Sequence, residues 1–318
     1  MIFEALDFRE LILTSCGKDD FTCQNGVCLS MEKRCDGSAD CKDSSDEDQC
    51  FLIRSFQGYL KHLLPPPLVN ESATVVNISF TIEEILDVDE VRGILKIKIF
   101  QLRSWFEPRF EYMNLKKSLE KNQLTAEERE AMWIPWTVFE NLEALKSYNR
   151  TELFQIVNVV PNPQFSFRRS DRTSKHNTRI FEGSKNALLV KDKYTIDWMC
   201  DYNLQWYPFD TQHCYLHFWQ NEKSLISLNP GTVDYTGPTQ LSQHFVKAVK
   251  ICTTRGTQLK GVWVEVVLGR PLLGSLLVVY LPTGILVIIS NLLVRFHHCY
   301  MDMVIAQNVT LLLVLATL

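Results

Sequence analysis

The sequence has no basic excess. Its 33 lysines and arginines stand against 37 acids, a net charge of −4 over 318 residues, so nothing is in place to neutralise a phosphate backbone and no nucleic-acid partner is expected. It also lacks the common catalytic signatures. There is no H-E-x-x-H, no glycine-rich phosphate loop and no Ser/His/Asp order, and the seven histidines show no metal spacing, which argues against an enzyme. A secretion signal is missing at the start, where Met1-Ile-Phe-Glu-Ala-Leu-Asp-Phe-Arg-Glu puts acids in place of a basic region and an unbroken apolar run. A hydrophobic fraction of 46% with 22% charged residues excludes disorder and collagen, and the length suits about two domains of ~150 residues.

What is present is unevenly distributed. Six of the ten cysteines fall within residues 16–50, and residues 271–294 carry no charge at all between Arg270 and Arg295. Crowded cysteines imply disulfides and an oxidising compartment. An uncharged run of this length reads as a membrane span, since ~20 apolar residues cross ~30 Å of hydrocarbon. A second apolar run, 304–318, is too short to cross alone. The expectation is a fragment cut at both ends, with residues 1–270 extracellular and the chain multi-pass in the plasma membrane.

Residues 16–50, CGKDDFTCQNGVCLSMEKRCDGSADCKDSSDEDQC, are too few to bury a self-sufficient core. Asp36, Asp40, Asp43, Asp46, Glu47 and Asp48 crowd opposite Lys42, an arrangement that repels itself unless a hard cation sits among the oxygens. Calcium takes six to eight oxygen ligands, whereas zinc would want thiolates. Six cysteines allow fifteen pairings. With Phe21 two residues before the second cysteine, then CDGSADC and SDE, the segment resembles a low-density-lipoprotein-receptor class A repeat. That resemblance implies bridges Cys16–Cys28, Cys23–Cys41 and Cys35–Cys50. It also implies calcium held by the side chains of Asp36, Asp40, Asp46 and Glu47 and the backbone carbonyls of Lys33 and Ser38. Members of that family often capture a basic ligand on this acidic rim beside an aromatic platform, where this chain has Val27 and Leu29 flanking Cys28.

Residues 1–15 are an N-terminal remnant, and 51–67, ending in Pro65-Pro66-Pro67, read as a linker. Beyond it Val76, Ile78, Phe80 and Ile82 alternate with polar residues, as do Leu95, Ile97 and Ile99 with Lys96 and Lys98. Period two predicts half-buried antiparallel strands, joined by a turn at 86–93. Residues 187–199 and 260–268 read the same way, and helical periodicity falls around 125–148. Asn70-Glu-Ser, Asn77-Ile-Ser and Asn149-Arg-Thr are glycosylation acceptors.

Cys200 and Cys214 enclose Tyr207-Pro208-Phe209-Asp210, and the loop resembles the signature of the pentameric Cys-loop ligand-gated ion channels, with Tyr202 where an aliphatic residue is usual. Trp105-Phe-Glu-Pro-Arg109, Trp133-Ile-Pro135-Trp136 and Phe139-Glu-Asn141 resemble further landmarks of that family in the same order, so the resemblance covers roughly 68–318. It implies an extracellular β-sandwich over 68–270, a first transmembrane helix over 271–294 and the start of a pore-lining helix over 304–318. It places Phe100, Trp136, Phe218 and Trp219 around a small-molecule agonist between subunits. It assigns coupling to Asp210, Arg270, Asp89 and Glu90. Asp302, Ala306, Thr310, Leu313 and Thr317 would face the pore, with Asp302 favouring cations.

The expected fold is therefore a multidomain membrane protein. A small disulfide-rich calcium module is followed by an all-β sandwich ligand-binding domain and an α-helical transmembrane domain truncated after part of its second helix. The expected function is a subunit of a pentameric ligand-gated ion channel, partnered by other subunits, agonist, permeant ion and membrane lipid. The alternative is a non-gating accessory or adhesive receptor subunit on the same fold.

Overall fold

The computed structural model describes residues 14–17, 20–54, 57–69, 71–142, 149–150, 155–169, 178–220, 226–253 and 261–294, with 302, 305, 306 and 308–310 beyond them. The first unit holds a two-stranded antiparallel ladder, β1 (Asp20–Thr22) and β2 (Cys28–Ser30). Its small core is Phe21, Met31 and the Cys23–Cys41 bridge, with the Arg34 guanidinium 4.4 Å from the Phe21 ring centroid. So small a core cannot hold a fold by burial alone, and three disulfides supplement it.

The second unit runs β3 (Thr74–Asp89), β4 (Ile94–Phe106), β5 (Glu111–Met113), α1 (Ala126–Ala131), β6 (Thr137–Phe139), β7 (Asn149–Arg150), β8 (Ile156–Val160), β9 (Arg168–Arg169) and β10 (Arg179–Glu182). It continues through β11 (Ala187–Met199), β12 (Thr211–Gln220), β13 (Ile226–Tyr235), β14 (Phe245–Thr253) and β15 (Val262–Gly269). One sheet is ordered β13-β3-β4-β11-β7, with β8 also on β11, and a second is ordered β14-β15-β12-β6. A third, β5-β10-β9, lies beside them.

Alternation explains the packing. Val76, Ile78, Phe80 and Ile82 of β3 are fully buried, as are Leu95, Ile97 and Ile99 of β4; all but Val76, which packs into the second core, meet Leu216 and Phe218 of β12 and Val262, Val264 and Val266 of β15 in one core. Each such side chain contributes about 1.5–3 kcal/mol relative to leaving it in water. A second core gathers Trp105, Phe110, Tyr112, Val157, Phe181 and Ile53.

Several expectations need correction. β13 pairs with β3 in parallel, so the larger sheet is mixed rather than purely antiparallel; the strand reaches that edge by crossing from the other sheet, which frees it from hairpin geometry. β3 continues to Asp89 by taking up extra residues where its pairing with β4 shifts register, between Ile82 and Glu84 and between Ile85 and Asp87, leaving a shorter turn than 86–93. Of the 125–148 region, Ala126–Ala131 is helical and Thr137–Phe139 is strand, while 143–148 lie outside the described residues.

The expected α-helical transmembrane domain is the largest correction. Residues 271–294 are divided into α2 (Leu272–Ser275), a π-helical stretch (Leu276–Tyr280) and α3 (Leu281–Val294). Pro282 has no N–H to donate and crowds the carbonyl four residues earlier, and the turn before it widens. Among the described residues no helix is long and apolar enough to cross a membrane. The multi-pass plasma-membrane placement, which rested on that span, is overturned with it. Counting apolar residues did not foresee the π-helical stretch that precedes Pro282.

Candidate functional site

Three places bring chemistry together, and the first is the acidic loop of residues 33–48. Cys35–Cys50, Cys16–Cys28 and Cys23–Cys41 are bridged, with Cα–Cα distances of 5.5, 5.2 and 5.9 Å. Within this frame Asp46 is wholly buried, its oxygens accepting the backbone N–H of Asp40 at 2.7 Å and of Cys41 at 3.2 Å. Glu47 accepts from the N–H groups of Asp36 and Gly37, and Asp36 from that of Ser38. Asp40 meets the Lys33 ammonium at 2.9 Å, and that hydrogen bond holds the lysine above its ordinary pKa. These four carboxylates offer oxygen donors only, the chemistry a hard cation takes, but among the described residues they are not gathered within 4.8 Å of one another. The ligand atoms that do lie within 4.8 Å of one another belong to Cys23, Cys41 and Asp43. Both sulfurs there are spent in a disulfide, and Ser45 donates to the Asp43 carboxylate at 2.6 Å, so that trio offers no thiolate site.

The second place is the far end of the β unit. Cys200 and Cys214 are bridged at a Cα–Cα distance of 5.1 Å and both are buried in the main core, so the loop between them is anchored while Trp206 and Phe209 stay exposed. Arg270, at the end of β15, is buried; its Nε and Nη2 each donate to an Asp210 carboxylate oxygen at 3.0 Å, and Nη2 also donates to Glu90. Burial opposes the charged guanidinium, but the two carboxylates outweigh it and hold Arg270 above its ordinary pKa. Burial likewise pushes Asp210 upward, and Arg270 together with the Gln212 amide more than compensates, leaving its carboxyl below the usual range. The guanidinium also lies 4.6 Å from the Tyr207 ring centroid, and the Tyr280 hydroxyl donates to the Tyr207 carbonyl at 2.9 Å.

Asp89 stands apart. The Arg92 backbone N–H and guanidinium hold it, at 2.9 and 2.6 Å, so the turn contributes Glu90 alone to the Arg270 cluster. A residue that no motif marks completes it: His244, 2% exposed, places Nε2 2.8 Å from the Glu90 carboxylate. Burial pulls its imidazole below the ordinary pKa of 6.5. Tyr202, where an aliphatic residue is usual, packs its ring against the core and turns its hydroxyl to the Ile94 carbonyl at 3.4 Å.

The four aromatic residues expected on the two faces of a subunit interface are placed separately in the single chain. Phe218 is core, 4.1 Å from Phe80 between ring centroids, and Trp219 is half-buried on β12. The Phe100 ring already carries the ammonium groups of Lys191 and Lys193, at 4.3 and 4.9 Å. Trp136 is 61% exposed and rims a recess with Tyr194, Gln155 and Arg103; Arg103 is committed to a buried ion pair with Asp192 and to the Pro135 carbonyl.

Other assigned residues scatter. Asn77 lies on β3, its side-chain oxygen accepting from Asn229 at 2.7 Å; Asn149 lies on β7 opposite Thr195; Asn70 falls outside the described residues. Asp302, Ala306 and Thr310 are helical and exposed, and Leu313 and Thr317 lie outside the described residues. With no crossing helix among the described residues, the pore assignment is withdrawn, and with it the gated channel, its permeant ion, partner subunits and lipid contact.

The third place joins the two units. Leu52 and Arg54 exchange backbone hydrogen bonds with β5, Met113 N–H to the Leu52 carbonyl at 2.7 Å and Arg54 N–H to the Glu111 carbonyl at 3.0 Å, with Ile53 opposite Tyr112. The Ile53 N–H donates to Glu128 at 2.8 Å, while the other Glu128 oxygen accepts from the N–H of Thr125, the N-cap of α1. Lys116, 4% exposed, sends its ammonium to the Met31 carbonyl. The 51–67 segment therefore begins as part of the fold. One signal was legible, since Thr125-x-x-Glu128 has the spacing of a helix capping box.

Comparison with known proteins matches residues 49–261 to the neurotransmitter-gated ion-channel ligand binding domain and residues 14–50 to the low-density lipoprotein receptor domain class A. Over 230 residues the chain is 23% identical to "Acetylcholine receptor subunit alpha-type acr-5" of Caenorhabditis elegans, covering 68% of this chain and 35% of that protein. Over 198 residues it is 24% identical to "Acetylcholine receptor subunit alpha-type deg-3" of the same organism, covering 58% of this chain and 30% of that protein. Residues of the first unit are 54% identical over 35 positions to human "Sortilin-related receptor", covering 11% of this chain and 2% of that protein. The chain thus spans about a third of the length of the nematode relatives.

Proposed function

Because the chain belongs to the family of neurotransmitter-gated ion-channel ligand binding domains and carries a class A domain ahead of it, we propose that it is a non-gating accessory or adhesive receptor-type protein. Neither domain family is catalytic, and the chain is not an enzyme. The observation that carries the reading is the junction at Leu52–Arg54, where the class A unit is hydrogen-bonded onto β5. The acidic loop is held as a fixed head on a ligand-binding fold.

In this reading calcium is a resident of the class A unit, held by the side chains of Asp36, Asp40, Asp46 and Glu47 and the carbonyls of Lys33 and Ser38. When bound, the ion neutralises carboxylates that otherwise repel and ties together loops that have little core between them. Asp36, Asp40 and Asp48 remain on the exposed rim, where a basic partner finds complementary charge. Glycosylation at Asn70, Asn77 and Asn149 belongs to the same reading of an extracellular chain.

The test uses the full chain, immobilised, with a lysine-rich peptide as probe in calcium and in EGTA. Capture in calcium that is lost in EGTA and in Asp46→Ala supports the reading. Capture indifferent to both, or no capture, overturns the adhesive role. Current evoked by small transmitters from cells expressing the chain would overturn the non-gating assignment separately.

A further inference from the structure

We infer that calcium occupancy of the class A unit is transmitted to the β unit through the Lys116–Met31 contact and the Leu52–Arg54 strand, so that the two domains share one metal-dependent stability. This rests on the reading of the acidic loop as a calcium site.

The coupling follows from what each side leaves unsatisfied without the other. Lys116 belongs to the β unit, yet its buried ammonium donates to a carbonyl of the class A unit. Burial has already pulled it down to about 8, which marks how little solvent it keeps. A buried ammonium that loses its acceptor is costly, so the β unit depends on where Met31 is held. Met31 is two residues before Lys33, whose carbonyl is in the proposed cage. On the other flank, Glu47 and the Cys35–Cys50 bridge wall a recess of about 140 Å³ whose opposite wall is Met113, Asn114 and Lys116. Cys50 then leads directly into Leu52, which accepts the Met113 N–H. The metal-holding loop is thereby tied to the β unit at both ends.

Linkage requires the effect to be mutual: if calcium steadies the junction, the junction raises calcium affinity by the same factor. The experiment is hydrogen exchange of the full chain in calcium and in EGTA. It follows the amides of residues 35–47, which report the loop, and those of Met113 and Arg54, which report the junction. Calcium titrations of the wild type and of Lys116→Met accompany it. Calcium is expected to slow exchange at both sets, and Lys116→Met is expected to bind calcium about ten-fold more weakly.

Protection of 35–47 by calcium with Met113 and Arg54 unchanged overturns the coupling alone. Exchange at 35–47 that ignores calcium overturns the calcium site and the coupling with it. Unchanged calcium affinity in Lys116→Met overturns Lys116 as the link. Should that variant fail to fold, the wild-type exchange experiment still decides the coupling.

Discussion

A histidine enclosed by charges at the end of the β unit makes acid sensitivity a property of single groups. His244 faces the Glu90 carboxylate directly, with Arg270 and Asp210 beside it. Its folded pKa lies below 6.5, so as pH falls below that value the unfolded chain takes up the proton first. Stability contributed by neutral His244 is fully present above about pH 6.5 and is lost as pH falls toward the folded pKa. Urea unfolding of the wild type at pH 5, 6, 7 and 8 should show lower stability at the acid end, and His244→Gln should flatten the slope between pH 5 and 7. An equal slope in both would assign the acid response to the carboxylates instead. At this scale the sequence was legible only where spacing carries meaning. The cysteines and the Tyr207-Pro208-Phe209-Asp210 loop declared themselves, whereas His244 and Lys116 owe their roles to partners 154 and 85 residues away.

Among the elements, α1 has only six residues, too few to persist on propensity, since isolated helices shorter than ~12–15 residues are marginal in water. It persists because Glu128 caps it and at the same time receives the Ile53 N–H. Glu128→Ala should therefore remove more than a cap. Two backbone donors lose a charged acceptor, each such bond being worth about 1.5–3 kcal/mol. Guanidinium unfolding should show a loss of about 3 kcal/mol or more, and exchange should rise at both Ile53 and Thr125. A loss near ~1 kcal/mol would make it an ordinary cap. The long strands were readable from alternation because each buries one face against the other sheet, as Ile97 and Val264 do. The apolar run at 271–294 was misread for the complementary reason: composition reports what an element would like to touch and says nothing of the helix geometry it adopts, here π-helical over Leu276–Tyr280. Phe218 shows the same limit, since an aromatic on a strand belongs to whichever layer the pleat turns it toward, here the core.

At the scale of the molecule, the division into a calcium module, a linker and a β domain beginning at 68 describes the sequence better than the solid. β5 is the outer strand of its three-stranded sheet, and residues 52–54 lie along its free side. Those three residues shield a row of backbone donors and acceptors that would otherwise template the addition of a foreign strand. A β domain cut at residue 68 would expose that side together with the hydrophobic face around Tyr112 that Ile53 covers. Such a piece should self-associate at concentrations where the chain kept from residue 14 stays monodisperse in light scattering, and equal behaviour would show the strand to be dispensable. The head is thus also a guard against polymerisation, and any variant that loosens it carries a solubility defect whatever it does to binding.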